Sequence, residues 1–359
     1  MKIHFLTTDL SMASGGAIYD KNFYEILKTI YPDTKLFNDK YFVEKYDNGS
    51  DLLAFNKYYK TSIAELMDCD YVIINSRLYT RMMFFNIGRI KKKYPNTNFL
   101  VIHHHSNFMN NTGIRRVIHK FFEKRVLTSA TELIIPNEYV VHQVKNDFSV
   151  DNIIFLPSSF EKKKYSISRL SSNIILFVGN IEYRKGIIYG IQAFKEIHDV
   201  YPNLEYHITG KYDKTDKYYI KLKNYIEHNG LSQNVIFEGR VSNERLNWLY
   251  ENSRLFLFPS LLEGYGWVMI EAMGRGVPVV AFNNSAMPYT VKNGYNGLLI
   301  TNKDFHEMAK QIIMTLNDEK KMRSLQNGAL NTYKNVPSQD TLNKLTEEYI
   351  RAWENTSES

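Results

Sequence analysis

Cysteine is almost absent from the sequence: Cys69 stands alone among 359 residues. A lone thiol excludes an internal disulfide and fits a reducing, cytoplasmic compartment. Long apolar runs are missing as well, and no stretch reaches the ~18 apolar residues that a membrane-crossing helix needs. The opening Met1-Lys2-Ile3-His4-Phe5-Leu6 reads as a first strand, without the apolar stretch and small-residue cleavage site of a signal peptide. No Cys/His spacing fits zinc, no aromatic signature fits RNA, and no long basic tail is present, so nucleic acid is not expected as a partner. Internal repeats and low-complexity tracts are lacking too.

Positive charge is what the chain has in excess. Its 45 Lys and Arg against 38 Asp and Glu give a net charge of +7, which suits phosphorylated small molecules or anionic lipid. Abundant Tyr, Asn, Lys and Ile point to an AT-rich, bacterial genome. The length exceeds one ordinary core and accommodates two α/β domains. Short apolar runs at Ile3–Thr7, Tyr71–Asn75, Phe99–His103, Glu132–Pro136 and Ile153–Leu156 alternate with helical patterns, as in parallel βαβ units. A polar stretch, Ser158–Asn173, reads as a linker. The pattern then restarts with strands at Ile174–Val178, Leu204–Thr209, Val235–Glu238, Leu255–Phe258 and Val277–Phe282. Two doubly wound, Rossmann-like domains are predicted, over 1–160 and 171–338. A final helix near Gln339–Trp353 is compatible with either half; residues 339–359 are assigned to complete the first.

In such sheets ligands bind at the carboxyl ends of the strands. The most informative of these ends is Pro259-Ser260-Leu-Leu-Glu263-Gly264-Tyr265-Gly266-Trp267-Val-Met-Ile-Glu271. Glycines allow close backbone approach, and the helix that follows offers free N–H groups and a positive dipole to phosphate. Two carboxylates beside phosphate would repel it, so they are expected to face hydroxyls, as a carboxylate does with a vicinal diol. Taken singly, Glu271 reads as a partner of Arg275 at i,i+4 and Glu263 as a solvated loop residue; their combination with Gly-x-Gly after a buried strand favours a site.

Pro259–Val280 resembles the signature of family 4 glycosyltransferases, with its E-x7-E spacing and the trailing Glu271-Ala-Met-Gly-x-Gly-Val-Pro-Val-Val. The resemblance implies a GT-B fold, two Rossmann-like domains facing across a cleft, and a retaining glycosyltransferase. It implies Glu263 against the transferred sugar and Glu271 on the ribose hydroxyls. The backbone of Gly264, Tyr265, Gly266 and Trp267 would line sugar and phosphate.

A second loop, Gly179-Asn180-Ile-Glu-Tyr-Arg184-Lys185-Gly186, carries cations just before a helix, which suits a departing diphosphate. By the resemblance Lys185 is the diphosphate lysine, whereas Asn180 stands where the family has arginine and Arg184 is the compensating candidate. A solvated cationic loop is the plainer reading. Gly210-Lys211 and Gly239-Arg240-Val241 resemble family loops near base and diphosphate. In the first half, Ser14-Gly15-Gly16-Ala17 lies between a strand and a helix from Ala17. It is no P-loop, since Gly-Lys-Ser/Thr does not follow, and by resemblance it faces the donor. Of His103-His104-His105, His104 best matches a family histidine at the sugar hydroxyls, with His103 next; a packed structural role remains open for two of the three. Adjacent strand residues alternate direction and cannot all chelate one ion. Asp68-Cys69-Asp70 precedes a strand, at the amino end of the sheet, and reads as turn chemistry. No metal and no other cofactor is therefore expected.

The helix 114–127 is basic and amphipathic, with apolar positions 114, 117, 118, 121 and 122 on one face. Core packing accounts for that face; the cations, with Lys91-Lys92-Lys93, permit docking on anionic lipid at the inner face of the plasma membrane. The expected activity is transfer of a hexose from a nucleotide diphosphate sugar, UDP favoured over GDP, to a glycan or lipid-linked glycan. The alternatives are a silent nucleotide-sugar-binding partner of another transferase, a protein-directed glycosyltransferase and a GT-B-like epimerase.

Overall fold

The computed structural model describes residues 1–7, 10, 15–37, 64–75, 87–158, 162–168 and 171–356. The chain divides into two compact units, Met1–Glu161 with Pro337–Ser359, and Lys162–Val336. Among the described residues, the first unit holds parallel strands β1 (Ile3–Leu6), β2 (Lys35–Phe37), β3 (Tyr71–Asn75), β4 (Asn98–Ile102), β5 (Glu132–Ile135) and β6 (Ile153–Phe155). Their order is β2-β1-β3-β4-β5-β6. The interior strands are unbroken apolar runs, such as Tyr71-Val-Ile-Ile and Phe99-Leu-Val-Ile, because helices cover both faces of the sheet. One core layer contains Leu6, Val72, Phe99 and Leu133, the other Phe5, Ile73, Leu100 and Ile134, as strand alternation requires.

The final helix, Gln339–Thr356, packs on this first unit. Trp353 stacks on Tyr71 at 4.7 Å and 11°, and the Tyr349 hydroxyl donates to Glu132. Such stacking adds roughly 1 kcal/mol beyond apolar burial. Asp68 and Asp70 sit before β3 at the amino end of the sheet. The Lys2 ammonium meets Asp68 at 2.5 Å and the Lys2 amide donates to Asp70 at 2.7 Å, so the tripeptide ties a turn to β1.

The second unit repeats the construction with β7 (Ile174–Val178), β8 (Glu205–Thr209), β9 (Val235–Gly239), β10 (Ser253–Phe258), β11 (Val279–Phe282) and β12 (Gly297–Ile300). Among the described residues their order is β12-β11-β10-β7-β8-β9, all parallel. The winding reverses between β7 and β10, and that crevice at the carboxyl ends is where an open α/β sheet takes its ligand. The linker residues 162–168 lie on this unit: the Lys163 amide donates to the Tyr333 hydroxyl at 2.9 Å and the Ser168 amide to the Arg275 carbonyl at 2.8 Å.

Two sequence expectations change. The first helix runs Gly15–Ile30, so Gly15 and Gly16 belong to its opening turn rather than to a preceding loop; Ser14 lies outside the described residues. The apolar face of helix Gly113–Leu127 is not packed into the core. Ile114 is 72% exposed, Val117 64%, Ile118 45% and Phe121 61%; only Glu123, Val126 and Leu127 are buried. Among the described residues no helix is long and apolar enough to cross a membrane.

Candidate functional site

The loops after β7 and β10 flank the reversal point and are locked together by backbone. Gly186 has φ +60°, and a Cβ there would lie 1.9 Å from the Pro259 carbonyl oxygen, so only glycine allows this approach. The Leu261 amide donates to the Arg184 carbonyl at 2.7 Å, and the Ser260 hydroxyl to the same oxygen at 3.1 Å. The loop after β8 closes on the first one in the same way: a Cβ on Gly210 would lie 2.0 Å from the Gly179 carbonyl oxygen. Arg184, Lys185 and Glu263 are thereby brought to one place from segments 78 residues apart.

Their charges meet on one atom. Glu263 Oε1 contacts Lys185 Nζ, takes Arg184 Nη1 at 3.3 Å and the Ser260 hydroxyl at 3.3 Å. Lys185 is 8% exposed and Glu263 9%, so neither ion keeps a full hydration shell and each depends on the other. Lys185 Nζ also lies 5.1 Å from the Phe258 ring centre, a favourable cation–π placement. From the other side, the Glu263 amide donates to the Ser285 hydroxyl at 3.0 Å. Arg184 Nε binds Glu182 at 2.8 Å, and Asn180 donates to the same carboxylate at 3.4 Å. Asn180 is exposed and adds no charge to the cluster.

Glu271 lies in helix Trp267–Gly274, entered through Gly266. Its Oε2 accepts the Tyr250 hydroxyl at 3.0 Å. Arg275, the partner of the Glu271 carboxylate in the plainer reading, instead donates to its backbone carbonyl at 2.9 Å. The plainer i,i+4 reading of this glutamate is thus corrected: the guanidinium braces the helix turn and leaves the carboxylate to other partners. Burial pushes the Glu271 carboxyl above the ordinary carboxylate range, opposed by the Tyr250 hydrogen bond and the Arg275 charge. Between the glutamates, the Tyr265 and Trp267 rings lie 4.3 Å apart, and Gly264, Tyr265 and Trp267 are half-buried. Arg240 and Lys211 are exposed at the ends of β9 and β8, with Val241 half-buried beside Arg240.

In the first unit a separate polar cluster sits where that sheet reverses, between β1 and β3. His104 Nε2 meets Asp20 Oδ1 at 2.8 Å, while Asp20 Oδ2 accepts Asn75 and, at 3.3 Å, Thr7. Asp20 is 1% exposed. Gly16 lies against the His104 ring: a Cβ there would stand 3.4 Å from ring carbon Cδ2, in ordinary van der Waals contact. His103 is corrected as a ligand-facing candidate: it is fully buried and its Nε2 lies 3.3 Å from Ser106 Oγ and 3.5 Å from Glu123 Oε1. Burial, then the charges of His105 and His104, lower its pKa to about 3, so it stays neutral. Asp20, Tyr250 and Ser285 were missed in the sequence, where nothing local marks them.

The Glycosyl transferases group 1 family matches residues 158–332. Among curated proteins, an uncharacterized glycosyltransferase of Haemophilus influenzae is 24% identical over 76% of this chain and 74% of its own length. A capsular polysaccharide biosynthesis glycosyltransferase of Staphylococcus aureus is 29% identical over 58% of each chain. A Campylobacter jejuni N-acetyl-D-galactosaminyltransferase, named for an undecaprenol-diphosphate-linked acceptor, is 26% identical over 68% of this chain and 66% of its own. The fold matches sucrose-phosphate synthase from Thermosynechococcus elongatus with a TM-score of 0.80, 18% identity and 99% of both chains covered. It matches Anabaena HepE, solved with UDP and glucose, with a TM-score of 0.75, 17% identity, and 98% and 100% covered. The chain thus has the GT-B fold and carries a Glycosyl transferases group 1 domain, and its homologues are glycosyltransferases.

Proposed function

We propose that this chain is a retaining, metal-independent hexosyltransferase of family 4, using a nucleotide diphosphate sugar, UDP-sugar before GDP-sugar, in bacterial cell-surface polysaccharide assembly. The observation that carries the reading is the convergence of Lys185, Arg184 and Glu263 at the strand-order reversal of the second unit. A diphosphate entering there takes up Lys185 and Arg184, and Glu263 exchanges its cations for sugar hydroxyls. Glu271, with one oxygen held by Tyr250, accepts the ribose diol.

In the reaction the bond between the anomeric carbon and the diphosphate oxygen breaks, and the acceptor hydroxyl oxygen bonds to that carbon on the same face. The hydroxyl proton passes to the departing phosphate oxygen. Lys185 and Arg184 stabilise the charge that develops there, a placement worth several kcal/mol, on the order of the 2.7–4 kcal/mol measured for a single oxyanion donor. In this reading Glu263 accepts sugar hydroxyls and Glu271 the ribose diol, so neither is assigned as a nucleophile of the glycosidase kind. His104, oriented by Asp20, is offered to a sugar hydroxyl.

The acceptor class is a glycan or lipid-linked glycan hydroxyl, in keeping with the acceptor named for the Campylobacter relative. Helix Gly113–Leu127 supplies the means of reaching it. Exposed Ile114, Val117, Ile118 and Phe121 stand beside exposed Arg115, Arg116, Lys124 and Arg125, the pairing that an anionic bilayer surface at the cytoplasmic face accepts.

The test is a panel of nucleotide sugars screened for thermal stabilisation, with EDTA present, followed by calorimetry. A ligand at 100 times its Kd adds about 2.7 kcal/mol. The expected result is stabilisation by UDP-sugars and transfer that survives EDTA; failure of every nucleoside diphosphate to bind would end this reading.

A further inference from the structure

Resting on the reading of Glu271 as the ribose carboxylate, we propose that Tyr250 is the positioning residue of the nucleotide site: its hydroxyl holds Glu271 Oε2, which leaves Oε1 to accept the ribose hydroxyls.

The placement follows from how tightly Tyr250 is itself fixed. It is the penultimate residue of helix Asn243–Glu251, three positions before the start of β10, and is fully buried. One face of its ring lies against the Arg275 guanidinium, 4.6 Å from the ring centre, and Phe256 stacks at 5.9 Å and 28°. Arg275 is in turn pinned. Its guanidinium lies 3.7 Å from the Tyr165 ring centre, one amino group donates to the Glu271 carbonyl at 2.9 Å, and the other donates to Asn247. Tyr165 comes from the linker residues 162–168, and Gly274 lies so close that a Cβ there would fall 2.9 Å from Tyr165 and Tyr333 ring atoms.

The sequence of supports therefore runs Tyr165, Arg275, Tyr250, Glu271, every step a ring face or a directed hydrogen bond. A surface glutamate in an eight-residue helix samples several rotamers, and fixing it costs side-chain entropy at the moment of binding. A hydrogen bond from a buried phenol fixes the carboxylate before the ligand arrives, which is preorganisation. The Tyr250 hydroxyl also lies 3.3 Å from the Val268 carbonyl, so the phenol keeps an acceptor when Glu271 is removed and the two effects can be separated by mutation.

The arrangement has a titration consequence that simple packing lacks. The Tyr250 hydrogen bond favours the ionised form of Glu271 against the burial that opposes it. Removing the hydroxyl moves the carboxyl further up, so ribose recognition fails at a higher pH on the acid side.

The experiment is isothermal calorimetry of UDP and GDP on wild type, Tyr250→Phe, Glu271→Gln and the double variant, each from pH 5 to 8. In Tyr250→Phe the affinity for UDP falls about ten-fold at neutral pH, in line with a lost hydrogen bond to a charged group, and the acid limb moves to higher pH. In Glu271→Gln the acid limb disappears, and adding Tyr250→Phe changes affinity by less than about two-fold, because the interaction is gone. Equal affinity and an unmoved limb in Tyr250→Phe overturn the proposal, as does an undiminished Tyr250→Phe effect in the Glu271→Gln background. If wild type binds neither nucleotide, the reading of the function fails first, and the two failures are told apart by that control.

Discussion

The pair Lys185 and Glu263 permits the sharpest test of the candidate site, because its two members are mutually dependent before any donor binds. Removing one partner of a buried ion pair costs about 3–5 kcal/mol, mostly through the charge left behind. Here the expected loss is smaller. In Lys185→Met, Glu263 keeps Arg184 Nη1 and the Ser260 hydroxyl, each at 3.3 Å, which brings the expected loss below that range, to about 2 kcal/mol. For a unit of this size 1 kcal/mol moves Tm by roughly 2–4 °C, so Lys185→Met melts about 4–8 °C below wild type. Adding Glu263→Gln removes the orphaned charge and recovers much of the loss, with a coupling of about 1–2 kcal/mol. Differential scanning calorimetry of the four proteins measures this, and repeating the scans with UDP and a UDP-sugar separates the roles. Lys185→Met loses the stabilisation by UDP itself, whereas Glu263→Gln keeps it and loses the difference between UDP and UDP-sugar. Additive losses, or a Lys185→Met protein that melts with wild type and still responds to UDP, would refute the reasoning.

Two further outcomes follow from residues outside the loops after β7 and β10. Replacing Ile114, Val117 and Phe121 by serine leaves folding nearly unchanged, since all three are more than half exposed and surface changes are usually within about 0.5 kcal/mol; the partition constant onto phosphatidylglycerol vesicles, measured by sedimentation, falls by about a thousand-fold or more, as full burial of each such side chain contributes about 1.5–3 kcal/mol. A wild type that ignores such vesicles at low salt contradicts the membrane assignment. His103 makes the first unit acid-sensitive: its folded pKa of about 3 lies below the unfolded value of 6.5, so its contribution is intact above about pH 6.5 and is lost as pH falls toward 3, by up to about 1.4 kcal/mol per pH unit. Tm against pH from 7 to 4.5 is steeper in wild type than in His103→Gln; parallel curves exclude this origin.

What the sequence revealed and what it hid divide along a physical line. The strands of both sheets were legible because a doubly covered parallel strand must be apolar throughout, as Ile174-Ile-Leu-Phe-Val and Leu255-Phe-Leu-Phe are. The loops after β7 and β10 were legible because strand, glycine turn and helix start are neighbours in the chain. The first helix was begun two residues late because glycine is a poor helix former, yet the opening turn has no i−4 partners to lose and tolerates it. The exposed helix Gly113–Leu127 was misjudged for a different reason: periodicity reports that a face is apolar, not what covers it, and the same pattern serves a core or a lipid surface. The second members of the polar pairs were not legible at all. Asp20 lies 84 residues from His104 and Tyr250 lies 21 residues from Glu271 on another helix, distances at which no period of helix or strand links one residue to another. A motif names the group that brings the charge, and the fold chooses the neighbour that aims it; in this chain the aiming neighbours are Asp20, Ser260 and Tyr250, and their substitution distinguishes a poised site from a merely present one.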